Sequence, residues 1–201
     1  MFPAGKLLPQ CFYQRPVENV ARSLLGMHLK NGTIVLKITE VEAYGGTEDS
    51  ASHCRSGRTA RNALMWEAGG CAYIYLCYGM QHMLNLVTGQ AGEGSAVLIR
   101  ACEPMAGLEL IRERRGGLAG PALLTGPGRV AQALALDLSY NGQPLYEAGG
   151  LELREGEPPA VVLTGPRIGV PYAEPIDRAL ALRFAVAGSA WVAERKRLSR
   201  G

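Results

Sequence analysis

Residues 33–42 constrain this chain more than any other stretch. They follow Asn31-Gly32, a two-residue hairpin signal, and a strand period of two places Ile34, Leu36 and Ile38 on one face with Glu40 and Glu42. An apolar row that runs into two carboxylates must either emerge into solvent or open into a cleft. Ala43 and Tyr44 follow directly, His53 lies a short way on, and residues 71–78 carry several tyrosines. An acid or base, stacking surfaces and a donor drawn from one stretch suggest a pocket for a flat ring.

The remaining pattern alternates short strands with a few helices. Pro16 opens a helical spacing of Val17, Val20, Ala21, Leu24 and Leu25 that Gly26 ends, and residues 27–30 form the first arm of the Asn31-Gly32 hairpin. Residues 44–61 show no period and read as a long ordered loop, a kind of segment that is usually functional or disordered. Residues 71–78 and 82–88 read as paired strands with Gly79 between them, and 95–102 as a further strand holding Arg100 among apolar neighbours. Glu103-Pro104 reads as a helix start, with Arg112, Arg114 and Arg115 in the last turn, where the helix dipole favours cations. A short helix follows Gly126-Pro127 to about Leu136, and strands are predicted over 151–154, 161–164 and 182–186. With no repeat and no break in composition, residues 1–201 are expected to form a single domain. Its size lets it bury about two thirds of the surface of the unfolded chain.

Composition removes several classes of function. The five cysteines are odd in number and contain no C-x-x-C pair, against both a disulfide framework and a zinc site, so reduced, mostly buried thiols are expected. The glycines match neither a dinucleotide fingerprint nor a phosphate-binding loop, and no metal or cofactor is implied. No run approaches the ~20 apolar residues of a membrane span, and the first residues lack a signal-peptide core; cytoplasmic residence is the expectation. The net charge of +3 is modest, yet Arg55, Arg58 and Arg61 cluster, as do Arg195, Lys196, Arg197 and Arg200, while Glu147, Glu152, Glu155 and Glu157 gather elsewhere. One basic face suits a polyphosphate, although solvated surface gives the same counts.

Chemistry concentrates on few residues. Arg100 in an apolar strand needs a carboxylate, and Glu42 would satisfy it, either as a core ion pair or as a group able to position water. Tyr44, Tyr73, Tyr75 and Tyr78 either stabilise sheet or form a stacking platform, and Tyr78 before Gly79 sits at a hairpin tip, where an aromatic is free to wedge between base pairs. His53 has no second ligand at metal spacing and reads as a hydrogen-bonding group. Asn85 needs a backbone or ligand partner if buried. The first turn after Gly126, with Arg129, could hold a phosphate. These residues fit a nucleic-acid enzyme, a damage-binding module without catalysis, or a transferase-like enzyme for a small nucleotide.

The ordered segments EVEAY (40–44), EDSASHCRSGRTARN (48–62), YIYLCYGMQHMLN (73–85), AVLIRACEP (96–104), TGPGRVAQAL (125–134), RIG (167–169) and GSAWV (188–192) resemble the alkyladenine, or methylpurine, DNA glycosylase family over nearly the whole chain. Ala190 replaces a usual proline, Cys54 is a departure, and 139–159 matches poorly. The resemblance implies an α+β fold: a single compact domain with a curved, mostly antiparallel sheet, surrounding helices and a protruding DNA-inserting β-hairpin. It implies that Glu42 activates water with Arg100 holding it, that Tyr44, His53 and Tyr75 enclose the base, and that Asn85 collides with the amino group of normal guanine. Tyr78 would enter the duplex, and Arg58, Arg61, Arg129 and Arg167 are candidate contacts to the DNA backbone. The implied partner is double-stranded DNA bearing damaged purines, bound by a monomer without cofactor. An alkylated purine is a good leaving group, so one carboxylate suffices where glycoside hydrolysis normally needs a pair. Lysine occurs only at positions 6, 30, 37 and 196, so a Schiff-base route is not expected and the product would be an abasic site.

Overall fold

The long strand that opens the sequence argument is the centre of the sheet. A computed structural model describes residues 5–200; residues 1–4 and 201 of the expected domain lie outside the described residues. The elements run α1 (Val17–Leu24), β1 (His28–Asn31), β2 (Ile34–Tyr44), β3 (Ala72–Cys77), β4 (Gln81–Thr88), β5 (Ser95–Ala106), α2 (Leu108–Arg114), α3 (Pro127–Ala133), β6 (Leu151–Arg154), β7 (Val162–Gly165), α4 (Pro175–Ala179), β8 (Arg183–Val186) and β9 (Ser199–Arg200). The strands build one open, antiparallel sheet of nine, ordered β3-β4-β5-β2-β8-β7-β9, with β1 and β6 branching from β2. The molecule is thus an α+β domain. Among the described residues no helix is long and apolar enough to cross a membrane.

One correction reshapes the site. The register of β2 against β5 slips on both sides of Glu40, which leaves Thr39 and Arg100 outside the ladder pairs. An extra residue in a strand inverts the alternation beyond it. Ile34, Leu36 and Ile38 therefore share the main core with Val41 and Ala43, while Glu40, Glu42 and Tyr44 are turned away from that core face rather than continuing the apolar row. On β5 the matching irregularity keeps Arg100 with Ala96 and Leu98 at the pocket, while Val97, Ile99 and Cys102 join the core.

A second correction concerns residues 103–106. They continue β5 instead of starting a helix, because the first half of β2 needs a partner: Glu103 lies opposite Lys37 and forms an ion pair with it, and Pro104 lies opposite Leu36 beside a register shift, where a missing N–H is tolerated. The helix α2 starts only after Gly107, whose φ of +77° suits glycine. The acidic cluster is also less uniform than its spacing suggests, since Glu152 is buried and paired with Lys30 and Arg154. Of the thiols, Cys54 and Cys102 are buried, but Cys11 is exposed and Cys71 and Cys77 are half-buried.

The β3–β4 hairpin protrudes. All of β3 pairs with β4, yet only Asn85 to Thr88 of β4 reach β5, so residues 77–84 extend beyond the main sheet. Its turn contains Tyr78 with φ +49° followed by Gly79 with φ +71°.

Candidate active site

A cavity of about 790 Å³ opens where the base of the hairpin, the loop after β2, β5 and the segment after β7 meet. Tyr44, His53, Tyr75, Asn85 and Arg100, scattered over more than fifty positions of sequence, all line it. Tyr44, Tyr73, Tyr75, Tyr172 and His53 contribute rings to its walls, beside polar groups such as Asn85 and Arg100, the character of a site for a flat, partly polar ligand.

Glu42 lies just behind the lining residues Tyr44, Arg100 and Ile168, fully buried. Its Oε2 accepts from the Tyr44 hydroxyl at 2.8 Å and from Arg100 Nη1 at 3.2 Å, and its Oε1 accepts from the Ile168 backbone N–H at 2.7 Å. The Glu42–Arg100 pair expected from the sequence therefore forms. The three donors occupy three of the about four acceptor positions of a carboxylate, leaving one uncommitted.

The pair is half of a longer array. Arg100 Nε also donates to Glu40 Oε1 at 3.3 Å, and Arg183 Nε lies 3.1 Å from the same oxygen. The second oxygen of Glu40 accepts from Ala193 N–H at 2.7 Å, while Arg183 Nη2 donates to the Ala193 carbonyl at 2.8 Å. Two carboxylates and two guanidiniums thus alternate in the interior, because a buried charge is tolerable only when paired. Burial pushes the Glu40 carboxyl above its usual range, against the pull of the Ala193 N–H and the two arginines.

The ring-binding wall is equally tied down. His53 Nδ1 is 2.9 Å from the Tyr73 hydroxyl, and its ring packs edge-on against Tyr75 with centroids 4.6 Å apart. Its backbone carbonyl accepts from Asn62 Nδ2 at 2.8 Å, which anchors the loop. Burial, with Arg61 and Arg55 adding repulsion, lowers the His53 pKa to about 4, so the imidazole is neutral near pH 7. Asn85 lies opposite Tyr73 in the ladder and donates to its carbonyl at 3.1 Å, with its side chain at the pocket wall.

Arg167 is not at the surface. It is 2% exposed, holds Asp49 through two hydrogen bonds of 2.5 and 2.8 Å, donates to Ala43 O at 3.0 Å and covers the Tyr44 ring at 4.8 Å. Both Nη atoms of its guanidinium face the loop and Tyr44 rather than solvent, which sets its burial against the expected contact with a DNA backbone. Arg58, Arg61 and Arg129 are exposed; Arg58 pairs with Glu67, Arg61 lies 5.5 Å from the Tyr75 ring and Arg129 donates to Thr125 O. Tyr78 is 87% exposed and Met80 beside it 77%, an unusual display of apolar surface at one tip.

The sequence pattern did not single out roles for Asp49, Arg183 or, beyond its place at the end of the apolar row, Glu40. Arg183 carried a usable signal, since it interrupts an apolar strand as Arg100 does. Asp49 carried none, because its partner lies more than a hundred residues away.

The family model described as methylpurine-DNA glycosylase matches residues 11–190. A DNA-3-methyladenine glycosylase of Arabidopsis thaliana is 48% identical over 193 residues, which cover 95% of this chain and 76% of that one. A Nitrosococcus oceani protein provisionally named 3-methyladenine DNA glycosylase is 55% identical over 192 residues, 96% of each chain. One of Anaeromyxobacter dehalogenans, named in the same provisional way, is 45% identical over 193 residues, 92% of this chain and 86% of its own.

Proposed function

Because the chain belongs to the methylpurine-DNA glycosylase family, we propose that it flips alkylated or deaminated purines out of duplex DNA and hydrolyses their N-glycosidic bond with a water activated by Glu42. The observation that carries this reading is the buried Glu42 carboxylate, held by three donors just behind the lining of the cavity with one acceptor position uncommitted. A water donating there lies where its oxygen can attack the sugar C1′. As that bond forms, the C1′–N bond breaks, its electron pair leaves with the purine, and the water proton passes to Glu42. The carboxylate also offsets the positive charge that develops on the sugar.

Arg100 orients Glu42, and Glu40 neutralises the cation that would otherwise oppose that charge. Tyr44, His53 and Tyr75 enclose the base, and neutral His53 hydrogen-bonds it. Asn85 narrows the pocket against the amino group of guanine. The exposed Tyr78 fills the space vacated in the duplex, a replacement that offsets the few kcal/mol of unstacking. The exposed Arg58, Arg61 and Arg129 contact phosphates of the duplex. Lys30 and Lys37 are engaged in ion pairs and no lysine lines the cavity, in keeping with simple hydrolysis to an abasic site. The substrate range we propose comprises 3-methyladenine, 7-methylguanine, 1,N6-ethenoadenine and hypoxanthine, processed by a monomer.

The test is a duplex with one ethenoadenine or hypoxanthine, read by alkaline strand cleavage. Glu42→Gln is expected to fold and to lose excision; a folded variant that excises at the native rate overturns the mechanism.

A further inference from the structure

Glu42 has a second carboxylate in its neighbourhood that takes no direct part in the hydrolysis. Glu40 is completely buried, a costly place for an acid with no chemical task. Its partners show what it does. It bridges Arg100 to Arg183, and through Ala193 N–H it ties both to the segment after β8. The Thr39 irregularity in β2 turns Glu40 and Glu42 away from the core face, and the slip at Arg100 keeps its guanidinium between them.

We infer that Glu40 and Arg183 are positioning residues that set the charge balance around Glu42, Glu40 by holding and partly neutralising Arg100, and Arg183 by balancing Glu40. This rests on the reading of Glu42 as the base. The charged and titratable groups facing Glu42 are Glu40 and Tyr44 from β2, Arg100 from β5, Arg183 from β8 and Arg167 from the segment after β7. Tyr44 is neutral and Arg167 is matched by Asp49, so the balance around Glu42 is set by Glu40, Arg100 and Arg183.

The signs follow. Removing the charge of Glu40 takes a like charge from beside Glu42 and releases Arg100 to it alone; both changes favour a negative charge at Glu42. Removing Arg183 leaves Glu40 more strongly held by Arg100 and the array net negative, which opposes a negative charge there. A structural role alone has no reason to move the two in opposite directions.

The experiment is a pH profile of single-turnover excision from a duplex carrying 7-methylguanine, whose cationic base needs no protonation to leave. The acid limb of Glu40→Gln is expected to move down, and that of Arg183→Met up, each by about one unit, the scale on which a neighbouring charge moves a carboxyl. Should either single variant fail to fold, the other tests the inference alone. Glu40→Asp and Arg183→Lys, which keep the charges, are expected to leave the limb in place at a reduced rate. The neutral double variant is expected to return it to the wild-type position. Folded Glu40→Gln and Arg183→Met with unmoved limbs, or shifts of the same sign, overturn the inference while leaving Glu42 as base. Native excision by Glu42→Gln, in contrast, overturns the base assignment itself.

Discussion

The Nδ1 of His53 lies 2.9 Å from the hydroxyl of Tyr73. The contact holds the orientation of the His53 ring at the pocket wall. Tyr73→Phe removes that control. Excision of hypoxanthine, which presents an acceptor oxygen, is expected to fall about tenfold in kcat/KM, the scale of one hydrogen bond. An unchanged value in single-turnover assays would dissociate the pair from recognition.

His53 also predicts a dependence of stability on pH. Its folded pKa of about 4 is below its ordinary value of 6.5, so between those limits the unfolded chain binds a proton that the folded chain refuses. Stability attributable to this group is lost as pH falls from 6.5 to about 4. In urea titrations at a series of pH values His53→Asn is expected to show a shallower acid slope than wild type over that window.

The φ of +49° at Tyr78 places a non-glycine residue in the left-handed region, at a cost of about 1 kcal/mol. Tyr78→Gly is expected to keep or slightly raise the melting temperature. It is nevertheless expected to lose at least about tenfold in excision from duplex, since the proposed wedge is gone. A variant with native turnover would remove the wedge role.

Arg167 and Arg61 separate support from contact. Arg167→Met leaves Asp49 buried without its cation and is expected to cost about 3–5 kcal/mol in chemical denaturation, with the salt dependence of DNA binding unaltered. Arg61→Ala is expected to leave stability within about 0.5 kcal/mol and to reduce the salt slope by about one. The reverse pattern would return Arg167 to the DNA surface.

What the sequence disclosed depended on whether a local rule was sufficient. Arg100 in an apolar strand demanded a carboxylate, and Glu42 was within reach; Tyr78 before Gly79 announced a tip. The Thr39 irregularity follows no local pattern, because it arises from the fit of β2 to β5, and it inverted the expected face of Glu40 and Glu42. Glu103-Pro104 resembled a helix start, but the length of β2 drew those residues into strand. Arg167 read as surface charge since its partner Asp49 is distant in sequence and adjacent only after folding.

The overhang of the β3–β4 hairpin separates two evolutionary problems. Residues 77–84 have no ladder partner in β5, so a change at the tip has no direct path of hydrogen bonds to the Glu42–Arg100 array. The tip can diverge among descendants by exchange of a few residues, while the Glu42–Arg100 array stays under separate selection in the middle of the sheet.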